Sequence, residues 1–283
     1  MASAATPVKK TKQACMPLAK GLLEIGRFEI AYRIFGGKGR HLICVNGAQQ
    51  SMAMWQTFVR RFCRDHRIVL FDFPNQGKSR VLTGAVNVSL DEQAAILSAV
   101  VEATGLNREA AVCAASWGGI IALVFAAQNP GRVKKLVLAS VGTKPNKKLV
   151  ETIKKGFSMD MGRREEMARL LIDSFGDALP EQLKRGIVSQ FRTMTEERLR
   201  AFCEHGSFVI SSKKLNEAID LGSIKAKTVL LRGANDTIID LDDVKFLASQ
   251  IPDCQVRVIN GVGHFLHMER EDVLDIYASI IAQ

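Results

Sequence analysis

Residues 109–127, EAAVCAASWGGIIALVFAA, decide how the rest of the chain is read. The apolar run 110–115 is too short for an ordinary helix and suits a buried parallel strand, whereas 120–128 continues from the bend as an apolar helix. Ser116 is the one hydroxyl between them. Ala114 and Gly118 flank it at minus two and plus two, small enough for the strained strand-to-helix turn that lifts a nucleophile clear of a sheet. Glycine is the usual residue at the first of these places, and the methyl of Ala114 is still small enough for the turn. A small-x-Ser-x-Gly match is common by chance, so the reading needs support from the rest of the chain; a buried serine at a strand end is the plain alternative.

Working outward, the pattern on both sides is one of alternation. Residues 22–25 and 27–35 pair as antiparallel edge strands about Gly26. Buried strands follow at 41–46 (HLICVN) and 67–72 (RIVLFD), separated by a helix over 52–64 with Trp55, Phe58, Val59 and Phe62 on one face. Ser89 to Glu92 reads as a capping box that opens a helix to about Thr104, closed by Gly105. After the Ser116 helix comes a strand at 133–139. This order calls for a mostly parallel sheet covered by helices on both faces. Residues 143–222 break it, with helical segments at 147–157, 163–175, 180–191 and 196–204 and nothing strand-like between them. They form an inserted cap, whose apolar residues such as Phe157, Met161, Phe175 and Phe208 either line a greasy pocket or pack the cap's own helices. Strands return at 227–231 and 255–259, each followed by a loop and a helix. The expected organisation is a basic disordered tail over 1–20, a core formed by 21–142 and 223–283, and the cap between.

Composition narrows the function classes. The 283 residues carry a formal net charge of +10 with 24% charged residues. No apolar run approaches the roughly 18 residues that a membrane span requires, and the N-terminus lacks the apolar core of a secretory signal. Four positive charges, Lys9, Lys10, Lys12 and Lys20, lie in the tail. The rest are spread, with no basic helix or aromatic-basic interleaving of the kind that binds nucleic acid. The surplus is either ordinary solubility charge or a match for an acidic partner. The six cysteines lie far apart, with no Cys-x-x-Cys and no metal-ligand spacing. That composition suits a reducing cytoplasm with neither structural metal nor cofactor.

Ser116, Asp236 and His264 each fall just after a strand, at the carboxyl edge where parallel sheets collect ligands. A serine hydroxyl is a poor nucleophile until an imidazole takes its proton, and the imidazole needs an acceptor to fix its tautomer. His267 is the rival base. Asp240 is the rival acid, although helix capping by Asp240 and Asp243 already accounts for it. The oxyanion donors expected are the amides of Trp117 and Ala48, with Asn46 holding the latter's loop. Asp72 and Gly77 are expected to shape a turn.

The order Ser, Asp, His is that of the α/β-hydrolases. Val45-Asn46-Gly47-Ala48, Val69-Leu70-Phe71-Asp72 with Pro74 and Gly77, Ala115-Ser116-Trp117-Gly118-Gly119, and Gly263-His264-Phe265-Leu266 with Glu269 resemble one branch of that superfamily. It comprises the 3-hydroxyacyl-carrier-protein acyltransferases and thioesterases and the related synthases of the rhamnolipid precursor. The resemblance covers about 40–140 and 226–270 and does not extend to the cap. It implies the α/β-hydrolase fold, an acyl-enzyme on Ser116, and an acyl thioester borne by an acyl carrier protein. The His-x4-Asp element that goes with acyl transfer in that branch has no counterpart: the fifth residue after His205 is Ile210 and after His264 is Glu269. Hydrolysis by water is therefore favoured over transfer. A carboxylesterase or lactonase for small apolar esters is the alternative within enzymes, and a non-catalytic ligand-binding protein is the alternative outside them.

Overall fold

The computed structural model describes residues 15–106, 109–212 and 214–283. Its centre is a sheet of β1 (Ala19–Ile25), β2 (Phe28–Phe35), β3 (Arg40–Val45), β4 (His66–Phe71), β5 (Arg80–Val81), β6 (Ala111–Ala115), β7 (Lys135–Ala139), β8 (Lys227–Gly233) and β9 (Cys254–Ile259). The order across it is β1-β2-β4-β3-β6-β7-β8-β9, with β5 paired to β2. The β1, β2 and β5 contacts are antiparallel, as is β2 against β4, and every pairing from β4 through β9 is parallel. β5 lies in what reads from sequence as open loop, because two residues are too few to carry a period.

Helices cover the two faces, as a near-continuously apolar parallel sheet requires. α2 (Leu90–Ala103), α3 (Trp117–Gln128) and α9 (Leu241–Ser249) pack with one set of strand side chains, including Ile43, Val45, Val112 and Leu138. α1 (Gln56–Phe62) and α10 (Val273–Ala282) pack with the alternate set, Leu42, Cys44, Cys113 and Val137. The two sets come from alternating positions, so β3 and β6 are buried on both sides. Ser89 closes its capping box with Glu92, with both reciprocal bonds formed.

Among the described residues, five α-helices lie between β7 and β8: α4 (Lys147–Phe157), α5 (Arg164–Leu171), α6 (Glu181–Thr193), α7 (Glu196–Ser211) and α8 (Leu215–Ala218). Met167, Phe191, Met194 and Leu199 form a small core of their own there, joined by Ile187 and Phe202. Phe157, Met161 and Phe208 stay exposed.

Three expectations are corrected. The tail is shorter at its inner end, since Leu18 N donates to Ile34 O (2.7 Å) and β1 already runs at Ala19; residues 1–14 lie outside the described residues. Cys15 and Cys63 are joined in a disulfide, 48 residues apart in sequence: the segment before β1 runs beside the end of β2, and Gly36 just after β2 packs on the Cys63 carbonyl. Asp240 makes no side-chain cap on α9 and instead accepts from Asn146 Nδ2 (2.9 Å), while Asp243 accepts from the amide and hydroxyl of Thr143. Both aspartates thus tie the approach to the cap onto the core.

Candidate active site

The bend after β6 has the geometry its small residues imply. Ser116 stands at φ 50°, ψ −122°, a conformation few non-glycine residues adopt. A Cβ on Gly118 would lie 2.3 Å from Asn46 O, so only glycine lets the turn pack against the end of β3. The Ser116 amide donates to Ala139 O (2.8 Å), fixing the bend to β7. Trp117 opens α3, so its amide has no partner within the helix. Its indole donates to Gln93 Oε1 (2.9 Å).

His264 follows β9, and its Nδ1 lies 3.0 Å from Asp236 Oδ2. Both residues are buried. The other carboxylate oxygen of Asp236 accepts from the amides of Ile238 (3.0 Å) and Ile239 (3.2 Å). Burial pushes the Asp236 carboxyl up, but the adjacent His264 charge, its hydrogen bond and the two amides outweigh it and leave the group below the ordinary carboxylate value. Asp236 is therefore an ionised acceptor that orients one nitrogen of the ring and leaves the other free to face a reactant.

Ser116 and His264 line one cavity of ≈ 10 Å³ together with Gln50, Met54, Ala115 and Phe265. That is about the room of one water molecule. The Ser116 hydroxyl has no hydrogen-bond partner among the described residues, a contact that in such sites tightens when substrate arrives. The cap touches the rings beside this cavity: Phe175 lies edge-on to the His264 ring, and His205 and Phe208 lie edge-on to Trp117. From α6, Gln190 Nε2 donates to Gln49 O (3.2 Å), and from α7, Arg198 donates to Gly77 O (2.9 Å).

The loop that carries Ala48 is braced below. Asn46 donates to Phe71 O (2.9 Å) and to Asp72, and accepts from the Trp55 indole (2.9 Å). Gln50 Oε1 accepts from Gly47 N (3.0 Å). Asp72 accepts from Met52 N (2.7 Å) and Lys78 N (3.3 Å), and a Cβ on Gly77 would collide with its carboxylate. Both Asp72 and Gly77 shape the turn, as their positions imply. His267 also borders the cavity, but its ring stacks on Trp55 at 5.2 Å, no carboxylate reaches it among the described residues, and burial lowers its pKa to about 4.

The chain matches the alpha/beta hydrolase fold family over residues 40–271. It belongs to that family. A relative from Pseudomonas putida named (R)-3-hydroxydecanoyl-ACP:CoA transacylase is 25% identical over 81% of this chain and 78% of its own length. A relative from Comamonas testosteroni named 2-hydroxy-6-oxononadienedioate/2-hydroxy-6-oxononatrienedioate hydrolase is 26% identical over 84% of this chain and 86% of its own. The crystal structure of a membrane phospholipase A superposes with a TM-score of 0.77 at 22% identity, covering 93% of this chain and 85% of that one, a likeness of fold. The chain is an enzyme of the α/β hydrolase fold, and its likeness to the transacylase stands beside a comparable likeness to the Comamonas hydrolase.

Within this hydrolase fold, five non-glycine residues take positive φ: Gln49, Asn75, Ser116, Ser140 and Leu266. They follow β3, β4, β6, β7 and β9, so backbone strain among the described residues collects at the rim that carries the site. Ser140 and Glu269 touch the histidine loop, and neither stands out in sequence as part of the site. The one signal is the carboxylate five residues after His264.

Proposed function

We propose that the protein is a serine acyl-hydrolase that works through an acyl-enzyme. The observation that supports this most is the His264–Asp236 pair at the wall of a cavity that Ser116 shares. Ser116 Oγ attacks the acyl carbonyl while His264 takes its proton, and the Trp117 and Ala48 amides donate hydrogen bonds to the oxygen on which negative charge develops. The alcohol or thiol leaves with the proton from His264. Water then attacks the acyl-Ser116 ester, gives its proton to His264, and releases the carboxylic acid as the proton returns to Ser116.

The transacylase name of the relative and the excess of 39 basic over 29 acidic residues support an acyl thioester, 3-hydroxylated and borne by an acidic acyl carrier protein. Without an Asp five places after either His205 or His264, water is favoured as the acceptor over coenzyme A. Labelling by a fluorophosphonate, lost in Ser116→Ala together with turnover by about 10⁴-fold or more, is expected; an unlabelled native protein favours a non-catalytic binder. A higher kcat/KM for short aryl esters than for acyl-carrier thioesters replaces the thioester reading with an esterase or lactonase.

The Cys15–Cys63 disulfide supports an oxidising compartment over the expected cytoplasm. A cytoplasmic chain keeps Cys15 and Cys63 as thiols, whereas their disulfide belongs to an oxidising environment. Titration of the purified, unreduced protein is expected to find four free thiols, Cys44, Cys113, Cys203 and Cys254. Six would restore the cytoplasmic reading.

A further inference from the structure

Contact with Asp236 fixes the edge of the His264 ring but not the backbone that carries it. His264 sits on a loop between β9 and a short turn at Leu266–Met268, and loops of that kind shift easily unless their polar groups are engaged. Three groups in a row are engaged by side chains from elsewhere. Gly263 N donates to Glu269 Oε2 (2.5 Å), Phe265 N donates to Glu269 Oε1 (2.9 Å), and His264 O accepts from Ser140 Oγ (2.8 Å). One carboxylate therefore brackets the histidine, spending each oxygen on one flanking amide, and one hydroxyl holds the carbonyl between.

Ser140 is buried and held at φ 55°, and its own amide donates to Leu231 O (2.8 Å). It directly follows Ala139, whose carbonyl accepts from Ser116 N. Adjacent residues at the end of β7 thus hold the backbone of Ser116 and the backbone of His264. We infer that Glu269 and Ser140 are positioning residues that hold the His264 backbone in register with Ser116. This rests on the reading of His264 as the base. The five-residue spacing from His264 to Glu269 gains a meaning here that is independent of acyl transfer: it returns a carboxylate to both sides of the ring it follows.

The test uses the full chain with Glu269→Gln, Ser140→Gly and the two combined. Glutamine keeps the shape but places an amide donor against one of the two N–H groups, and glycine keeps the left-handed backbone while deleting the hydroxyl. Measured are kcat and KM on the best aryl ester, the rate of fluorophosphonate labelling, the urea midpoint, and the low-field proton resonance of the His264–Asp236 hydrogen bond. Glu269→Gln is expected to lower kcat and labelling on the order of 10- to 100-fold with KM within about twofold. Ser140→Gly is expected to cost roughly fivefold, and the double variant to lose less than the product, because both act on one loop. The proton signal shifts or broadens in Glu269→Gln. Wild-type kcat, labelling and proton signal in Glu269→Gln overturn the inference, as does a fall confined to the urea midpoint or to KM. The serine mechanism fails separately: an unlabelled wild type refutes it, while the proton signal still reports on the brace.

Discussion

Two aspartates sit buried at the same rim of the sheet and titrate in opposite directions. Asp72, after β4, is pushed up by burial, with the Met52 and Lys78 amides and the Asn46 side chain only partly opposing. Asp236, after β8, feels a similar burial, and the neighbouring imidazole reverses the outcome. Depth alone therefore does not set the direction of the shift; the partner does. Asp72 spends its oxygens on the Met52 and Lys78 amides and the Asn46 side chain and is part of the scaffold, whereas Asp236 gives one oxygen to the His264 ring.

The largest effect that would break this contrast is on turnover. Asp236→Asn is expected to lower kcat by about 10⁴-fold while the fold persists, because the amide favours the wrong tautomer of His264; circular dichroism with ester kinetics checks it. Asp72→Asn is expected to reduce stability by about 1–3 kcal/mol, by leaving a buried amide unpaired, and to shift the urea midpoint more than kcat.

Acid titration sharpens the comparison. Asp236, with its folded value below the unfolded 3.8, contributes stability that is present above that value and is lost as pH falls through the folded one. Asp72, with its folded value above 3.8, contributes stability that is present below that value and is lost as pH rises through the folded one. Urea midpoints followed through the carboxylate range should fall less with acid in Asp236→Asn than in the wild type, and more in Asp72→Asn. Equal slopes would remove the contrast. The smallest effect tests a partner without depth. Glu92, with its side chain 35% exposed, is lowered chiefly by its hydrogen bond with Arg27. Glu92→Gln keeps the capping box and is expected to cost at most about 1 kcal/mol, with ester turnover unchanged.

What the sequence discloses depends on how far apart the cooperating residues lie. The elbow at Ser116 is legible because the turn, the small neighbours and the strand and helix around it are contiguous. The four helical segments expected between 143 and 222 are legible because a period of 3.6 repeats within each, although α7 continues past 204 to Ser211. Asp236 and His264 are legible from their places after strands. The Cys15–Cys63 pairing is not, since it depends on where the segment before β1 meets the residue after α1. Nor is the use of Asp240, which serves Asn146 across 94 residues. Ser140 escapes notice because a lone serine after a strand carries no pattern; its part depends on a left-handed backbone and on a loop 124 residues later.

The bond from Gln190 to the Gln49 carbonyl joins α6 to the loop that holds Ala48. One hydrogen bond thus ties two stretches of chain 141 residues apart, so that a shift of α6 is carried to the loop after β3.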